Sequence, residues 1–290
     1  MTKKKAATFG DFKKKHPEID RPKGYIAPEQ GGWHRVRLTS RDDGWKVFGF
    51  VSDTHLCSKH HRADVLNKLY DWYEAEGIQH VFHGGNWIEG EARFNFHDVA
   101  VHGRAAQLAY FIKHYPIRKG IVTHYVAGDD HEGWYQQREA SQIGQDLEDK
   151  AKAAGRTDLH YLGYIEADVE LLAPRGSAVI RVMHGGGGSA YAISYRPQKI
   201  VESFTGGEKP AVLLLGHYHK ISYNITRNVH VVQGGCTCDQ SVFMRKQSIE
   251  AHVGGCMIRL RQDSKGIITD FVPHFRTFFD RGFYERHFDR

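Results

Sequence analysis

Five apolar stretches of this chain run directly into side chains that can ligate a cation. WKVFGFVS leads to Asp53-Thr54-His55, and QHVF leads to His83-Gly84-Gly85-Asn86. GIVTHYVA leads to Gly128-Asp129-Asp130-His131, AVIRVM to His184, and AVLLL to Gly216-His217-Tyr218-His219. Short apolar runs bounded by glycine or polar turns are the signature of buried strands. Binding residues in open α/β sheets gather beyond the carboxyl ends of the strands, so five such endings can converge on one place. Singly, each has an ordinary reading: Asp at a strand end caps a following helix, and His-x-His occurs as an exposed pair. Five in sequence constrain the fold far more than any one does.

The segments between them carry a helical period. Val65, Leu66, Leu69, Trp72 and Tyr73 predict an amphipathic helix over 62–76. Further helices are expected from Val99 to Tyr115 and over 136–154. Strands then dominate, at 164–172, 178–183, 211–215, 221–225, 229–232, 252–260 and 267–273, with one helix at 192–203. A β-α-β-α-β-α half followed by a mostly β half predicts two stacked sheets with helices outside. No linker divides the chain. The expected organisation is a basic N-terminal extension (1–44), one domain (45–275) and a tail (276–290) that alternates aromatics with charges. That tail is suited to packing on the domain or on a second copy, giving a homo-oligomer.

Eight Lys/Arg against Asp11, Glu18 and Asp20 give residues 1–23 a charge of +5, out of +6 for the whole 290-residue chain. A basic arm of this kind suits phosphate backbones through counterion release, and it also suits a solvated tail. No apolar run approaches the ~20 residues of a membrane span, and the N-terminus lacks the apolar core of a secretory signal. Cys57, Cys236, Cys238 and Cys256 make no disulfide framework and read as reduced thiols, so the expected location is cytoplasmic.

Taken together, Asp53-Thr54-His55, Gly85-Asn86, Asp129-Asp130-His131-Glu132, His184-Gly185 and Gly216-His217-Tyr218-His219 resemble the motif set of the calcineurin-like metallophosphoesterases, over about residues 47–235. The general look is similar to nuclease-type members, relatives of the DNA-repair exonucleases and phage-encoded ones among them. The resemblance implies an α/β fold, a four-layer α/β/β/α sandwich of two mixed sheets flanked by helices. It implies two divalent ions, one on Asp53, His55 and His219, the other on Asp130, His184 and His217, with position 86 between them. His131 would face the phosphate and act as general acid. Mixed imidazole and carboxylate ligands make Mn²⁺ the first choice, with Mg²⁺, Fe, Ni²⁺ and Zn²⁺ compatible. The implied activity is metal-dependent phosphodiester hydrolysis of DNA or RNA by a hydroxide generated between the ions. The rival readings are a phosphomonoesterase on a smaller substrate and an inactive nucleic-acid-binding subunit.

Two positions depart from the pattern. Asp130 stands where the family usually has Asn, and it still ligates. Asn86 stands where the family has its bridging Asp, and a neutral amide offers one good acceptor oxygen and no charge. The rest of the set is intact and Asp and Asn are nearly isosteric, which favours an inactivating substitution over a decayed site. Around the motifs, Lys59, His61, Arg62, Arg93 and Trp134 form basic and aromatic loops. They are the candidate substrate contacts, since cations and stacking rings are what nucleic-acid channels use. Ordinary loop polarity is the plain alternative.

Overall fold

Two six-stranded sheets lie face to face in the computed structural model, which describes residues 32–279 apart from 37, 39, 42, 189, 206 and 208. The first half of the described chain comprises β1 (Gly32–Val36), β2 (Lys46–Val51), α1 (Ala63–Ala75), β3 (His80–His83), α2 (Arg104–His114), β4 (Val122–Ala127), α3 (Gly133–Glu139), α4 (Ile143–Ala153) and β5 (Leu159–Tyr164). The second comprises β6 (Glu166–Ala173), β7 (Gly176–His184), α5 (Tyr195–Ser203), β8 (Val212–Gly216), β9 (Ile221–Thr226), β10 (Val229–Gly234), α6 (Val242–Lys246), β11 (Gly254–Gln262) and β12 (Ile268–Thr277). The first sheet runs β12-β11-β2-β3-β4-β5 and the second β1-β6-β7-β8-β10-β9. Both are mixed: β2 to β5 are parallel with β11 antiparallel at their edge, and β7, β8 and β10 are parallel between antiparallel neighbours.

Period two sorts the side chains. In β8, Val212 and Leu214 point between the sheets, into the cluster that holds Phe48, Phe50, Phe82 and Val126. Leu213 and Leu215 point the other way, into a cluster with Val201 of α5. This is why AVLLL is apolar throughout: both of its faces are buried. On the far side of the first sheet, α1, α2 and α4 bring Leu66, Leu69, Leu108, Phe111, Ile143 and Leu147 against Val81, Tyr125 and Ala127. The result is the four-layer α/β/β/α sandwich. Among the described residues no helix is long and apolar enough to cross a membrane.

Several elements differ from expectation. β1 lies inside the stretch read as an irregular extension; it pairs in parallel with β6, and Val36 and Leu38 join the core. Its short sequence, Gly-Trp-His-Arg-Val, has no apolar alternation to reveal it. The single helix expected over 136–154 is two, broken where Ala140 takes a left-handed conformation at φ 49°. Helix α2 starts at Arg104 rather than Val99, behind Gly103 at φ 88°. The strand expected at 164–172 hides a sheet change: β5 closes the first sheet and β6 enters the second, separated by Ile165 at φ 69°. At the tail, Thr277 belongs to β12 and Phe278 is buried, while residues 280–290 and the arm 1–31 lie outside the described residues.

The sheets touch most closely where β3 and β8 end. A Cβ on Gly216 would lie 2.3 Å from the Gly84 carbonyl oxygen and 2.2 Å from Ser52 Oγ. Gly216→Ala is therefore expected to lower stability by about 1–3 kcal/mol, or roughly 3–10 °C in Tm for a domain of this size. Gly186→Ala, whose Cβ would meet nothing within 4 Å, should leave Tm unchanged. Equal thermal melts for the two variants would contradict the close approach.

Candidate metal centre

The loops that end β2, β3, β4, β7 and β8 meet at one end of the sandwich. Asp53 and His55 follow β2, Asn86 follows β3, Asp130 and His131 follow β4, His184 closes β7, and His217 and His219 follow β8. Asp53 ties the sheets together, since its Oδ2 accepts the backbone N–H of His217 at 2.9 Å and the hydroxyl of Ser52. Glu132 ties the loops after β3 and β4, its Oε1 accepting the N–H groups of Asn86 (2.9 Å) and Gly128 (2.7 Å).

The backbone here is strained. Asp53 (φ 50°), His55 (45°), Asn86 (54°), His217 (84°) and His219 (54°) all sit in the left-handed region. For residues other than glycine that costs of order 1–3 kcal/mol each and persists only where surrounding contacts enforce it, most often at functional sites.

The side chains form two clusters. In the first, Nε2 of His55 and Nε2 of His219 are 3.2 Å apart, with Asp53 Oδ1 3.5 Å from His219 Nε2. In the second, His184 Nε2 lies 3.2 Å from Asp130 Oδ1 and 3.2 Å from His217 Nδ1, which is 3.4 Å from Asp130 Oδ2. Asn86 Oδ1 is buried against the second cluster: a Cβ on Gly128 would lie 2.4 Å from it and 2.9 Å from the His184 ring. Neither Asn86 Oδ1 nor Asp53 Oδ1 has a hydrogen-bond partner.

These are the features of a cation-holding site. Buried oxygens without donors are rare, and imidazole nitrogens 3.2 Å apart can share either a proton or a cation between them. The opposite ring nitrogens are already engaged, as outer partners of metal-ligating histidines are. His55 Nδ1 is 3.0 Å from Glu89 Oε2, His184 Nδ1 is 2.8 Å from the Gly84 carbonyl, and His217 Nε2 is 2.8 Å from the Gly187 carbonyl. Charge points the same way. Burial would raise the Asp130 carboxyl, but His131, His184 and His217 outweigh it and hold it well below the ordinary carboxylate range. Burial would lower His184, but its hydrogen bond and charge contact with Asp130 push it up to about 9. Glu132 is pushed up to about 7 by burial. The donors present thus fit divalent cations, with Asp53, His55 and His219 on one side and Asp130, His184 and His217 on the other.

His131 stands beside the first cluster, its ring 4.3 Å from that of His55 and its Nδ1 2.7 Å from the Glu89 carbonyl. Burial lowers it, but Asp130 and Glu89 raise it above its ordinary value on balance. His55, Asn86, Asp130, His131, His217 and His219 line a cavity of about 530 Å³, with Phe94, Phe243, Met244 and Ile249 also in its wall.

None of the candidate substrate contacts Lys59, His61, Arg62, Arg93 and Trp134 lines this cavity. The Arg62 guanidinium is buried and paired with Asp64 (2.7 Å) and Asp239 (3.2 Å). Lys59 donates to the His97 carbonyl at 2.7 Å, and the His61 ring to the Ser58 carbonyl at 2.6 Å. Lys59, His61 and Arg62 thus turn onto their own framework, while Arg93 is exposed. The reading of the sequence missed Glu89, Phe243 and Cys238. Cys238 had a usable signal, because VHVVQGG is a sixth apolar stretch that ends in ligand-type residues.

No family model and no curated protein matches the chain. Solved structures similar to it include an archaeal phosphodiesterase at 13% identity and TM-score 0.42, covering 79% of this chain and 99% of that one. A zinc-complexed Vps29 from Entamoeba histolytica is similar at 13% and TM-score 0.41, covering 81% and 94%. The phosphoesterase YfcE from E. coli is similar at 14% and TM-score 0.39, covering 78% and 98%. Likeness at this level carries no argument about chemistry.

Adding Mn²⁺ at about 100 times its Kd should stabilise the fold by about 2.7 kcal/mol per site, and a chelator should reverse the gain. His217→Ala should cut the stabilisation, and calorimetric titration should show one binding step weakened by at least about tenfold. A melting temperature indifferent to Mn²⁺ and chelator would remove the centre.

Proposed function

We propose that the chain is a two-metal phosphodiesterase acting on nucleic-acid strands. One observation carries the reading: His55 and His219, with Asp53 against His219, and Asp130 with His184 and His217 form two clusters that open onto one cavity, with the buried amide oxygen of Asn86 beside the second. Asp53, His55 and His219 would hold one ion and Asp130, His184 and His217 the other. Bound there, divalent ions supply Lewis-acid polarisation of a phosphoryl group and a water acidic enough to attack it near neutral pH.

The chain's own groups do the rest. His131, charged as the imidazolium beside Asp130 and Glu89, would donate Nδ1–H to the Glu89 carbonyl and hand its second proton, on Nε2, to the leaving oxygen. Phe94 and Phe243 form a ring pair 5.3 Å apart in the cavity wall, and Phe94 lies 5.5 Å from His131. Both rings are partly open to solvent and offer faces for a base next to the acid. The basic arm, outside the described residues, would add sequence-independent affinity for phosphates. Asn86 sets the limit. With an amide there, Asp53 and Asp130 are the only carboxylates among the seven ligand positions, and the charge that would offset a second dication is missing. The form with Asn86 would therefore bind substrate and turn it over poorly.

Asn86→Asp should raise Mn²⁺-dependent cleavage by about 100-fold or more. His131→Ala in that background should lower it by about 10²–10⁴-fold on DNA and less on an aryl diester with a good leaving group. The assay compares single-stranded DNA, duplex DNA, RNA, an aryl phosphodiester and an aryl phosphomonoester. Cleavage of the monoester alone would replace the proposal with a phosphatase. No cleavage of any ester by Asn86→Asp would leave a nucleic-acid-binding protein without catalysis.

A further inference from the structure

We propose that Cys238 is a positioning residue of the first cluster: its sulfur accepts a hydrogen bond from Nδ1–H of His219 and thereby fixes the tautomer that turns Nε2 toward Asp53 and His55. The inference rests on the reading that His219 holds a cation. Four imidazoles converge on the centre. Three have their outer nitrogens engaged by oxygen, from Glu89, Gly84 and Gly187. The fourth, His219, has its outer nitrogen facing sulfur, with Cys238 Sγ 3.7 Å from Nδ1 while Nε2 lies 3.2 Å from His55 Nε2. A neutral imidazole carries one N–H. If sulfur accepts it at Nδ1, the Nε2 lone pair is left for the cation.

The sulfur is held where it is. The Thr237 N–H donates to the Asp53 carbonyl (3.1 Å), the Arg62 N–H to the Thr237 carbonyl (2.8 Å) and the Asp239 N–H to the His60 carbonyl (2.8 Å). Cys238 is thus strapped between the Asp53 loop and the 60–62 loop, and its side chain is buried. The neighbouring thiol belongs to the same group: Cys236 Sγ faces the Cys238 and His252 carbonyls at 3.4 and 3.7 Å and also lies against the His219 and Cys238 side chains. Sulfur is a weaker acceptor than the Glu89 carboxylate, so His219 is less firmly held and less basic toward a cation than His55.

The direct test uses the unaltered protein loaded with diamagnetic Zn²⁺ and labelled with ¹⁵N at histidine. Long-range ¹H–¹⁵N correlation should place the His219 proton on Nδ1. A bare Nδ1 overturns the proposal. Calorimetry with Mn²⁺ supplies the second arm. Cys238→Ala should weaken one binding step about 10–100-fold, and Cys238→Ser should restore it to within a few-fold. Wild-type affinity in Cys238→Ala overturns the proposal. So does a thiolate-to-metal charge-transfer band in the Co²⁺-loaded protein that disappears in Cys238→Ser, because the sulfur would then be a ligand itself. If the wild-type protein binds no divalent ion at all, the proposed function fails too; if ions bind equally in every variant, only this inference fails.

Discussion

Everything at the candidate centre depends on how close the ends of β3 and β8 come to each other. Gly216 leaves no room for a Cβ between the sheets and Gly84 leaves little, and Asp53 reaches across to accept the His217 N–H. Gly85 and Gly128 do the same around the His184 ring, which a Cβ on either would meet at 2.5 and 2.9 Å. Four glycines and one buried carboxylate thus set the spacing of the two clusters. Larger residues at the glycine positions would push the imidazoles apart before they changed any ligand.

That spacing explains the backbone. A chain leaving a strand and at once turning its side chain back over the strand end has few conformations available, and the left-handed one is the compact choice. Five of the seven ligand positions adopt it. The cost is met by the core beneath, where Phe48, Phe50, Phe82, Val212 and Leu214 pack between the sheets, and by hydrogen bonds such as those of Glu132. The electrostatics then follow from crowding, since Asp53 and Asp130 stay charged and favour the charged forms of His219 and His184.

Much of this was legible in the sequence. The layers follow from helical period early and strand period late, and the candidate ligand positions follow from what stands after each apolar run. What failed had physical causes. β1 is an edge strand whose sequence shows no alternation. β5 and β6 read as one strand because nothing in Tyr164-Ile165-Glu166 announces a left-handed residue at Ile165. Sequence proximity to a motif does not say which way a loop folds: Arg62 turns inward to Asp64 and Asp239. Glu89 and Cys238 lie behind the ligands, and outer partners are fixed by tertiary approach rather than by spacing.

The path of the chain through the two sheets has a consequence for assembly. It leaves the first sheet after β5, builds β6 to β10 in the second, and returns to complete the first with β11 and β12. Each cluster draws on both sheets: His55 and Asp53 meet His219, and Asp130 meets His184 and His217. Neither half of the polypeptide can therefore assemble a cluster alone. A bound cation would act as a proofreader of folding, holding tightly only a chain whose two sheets have closed in register.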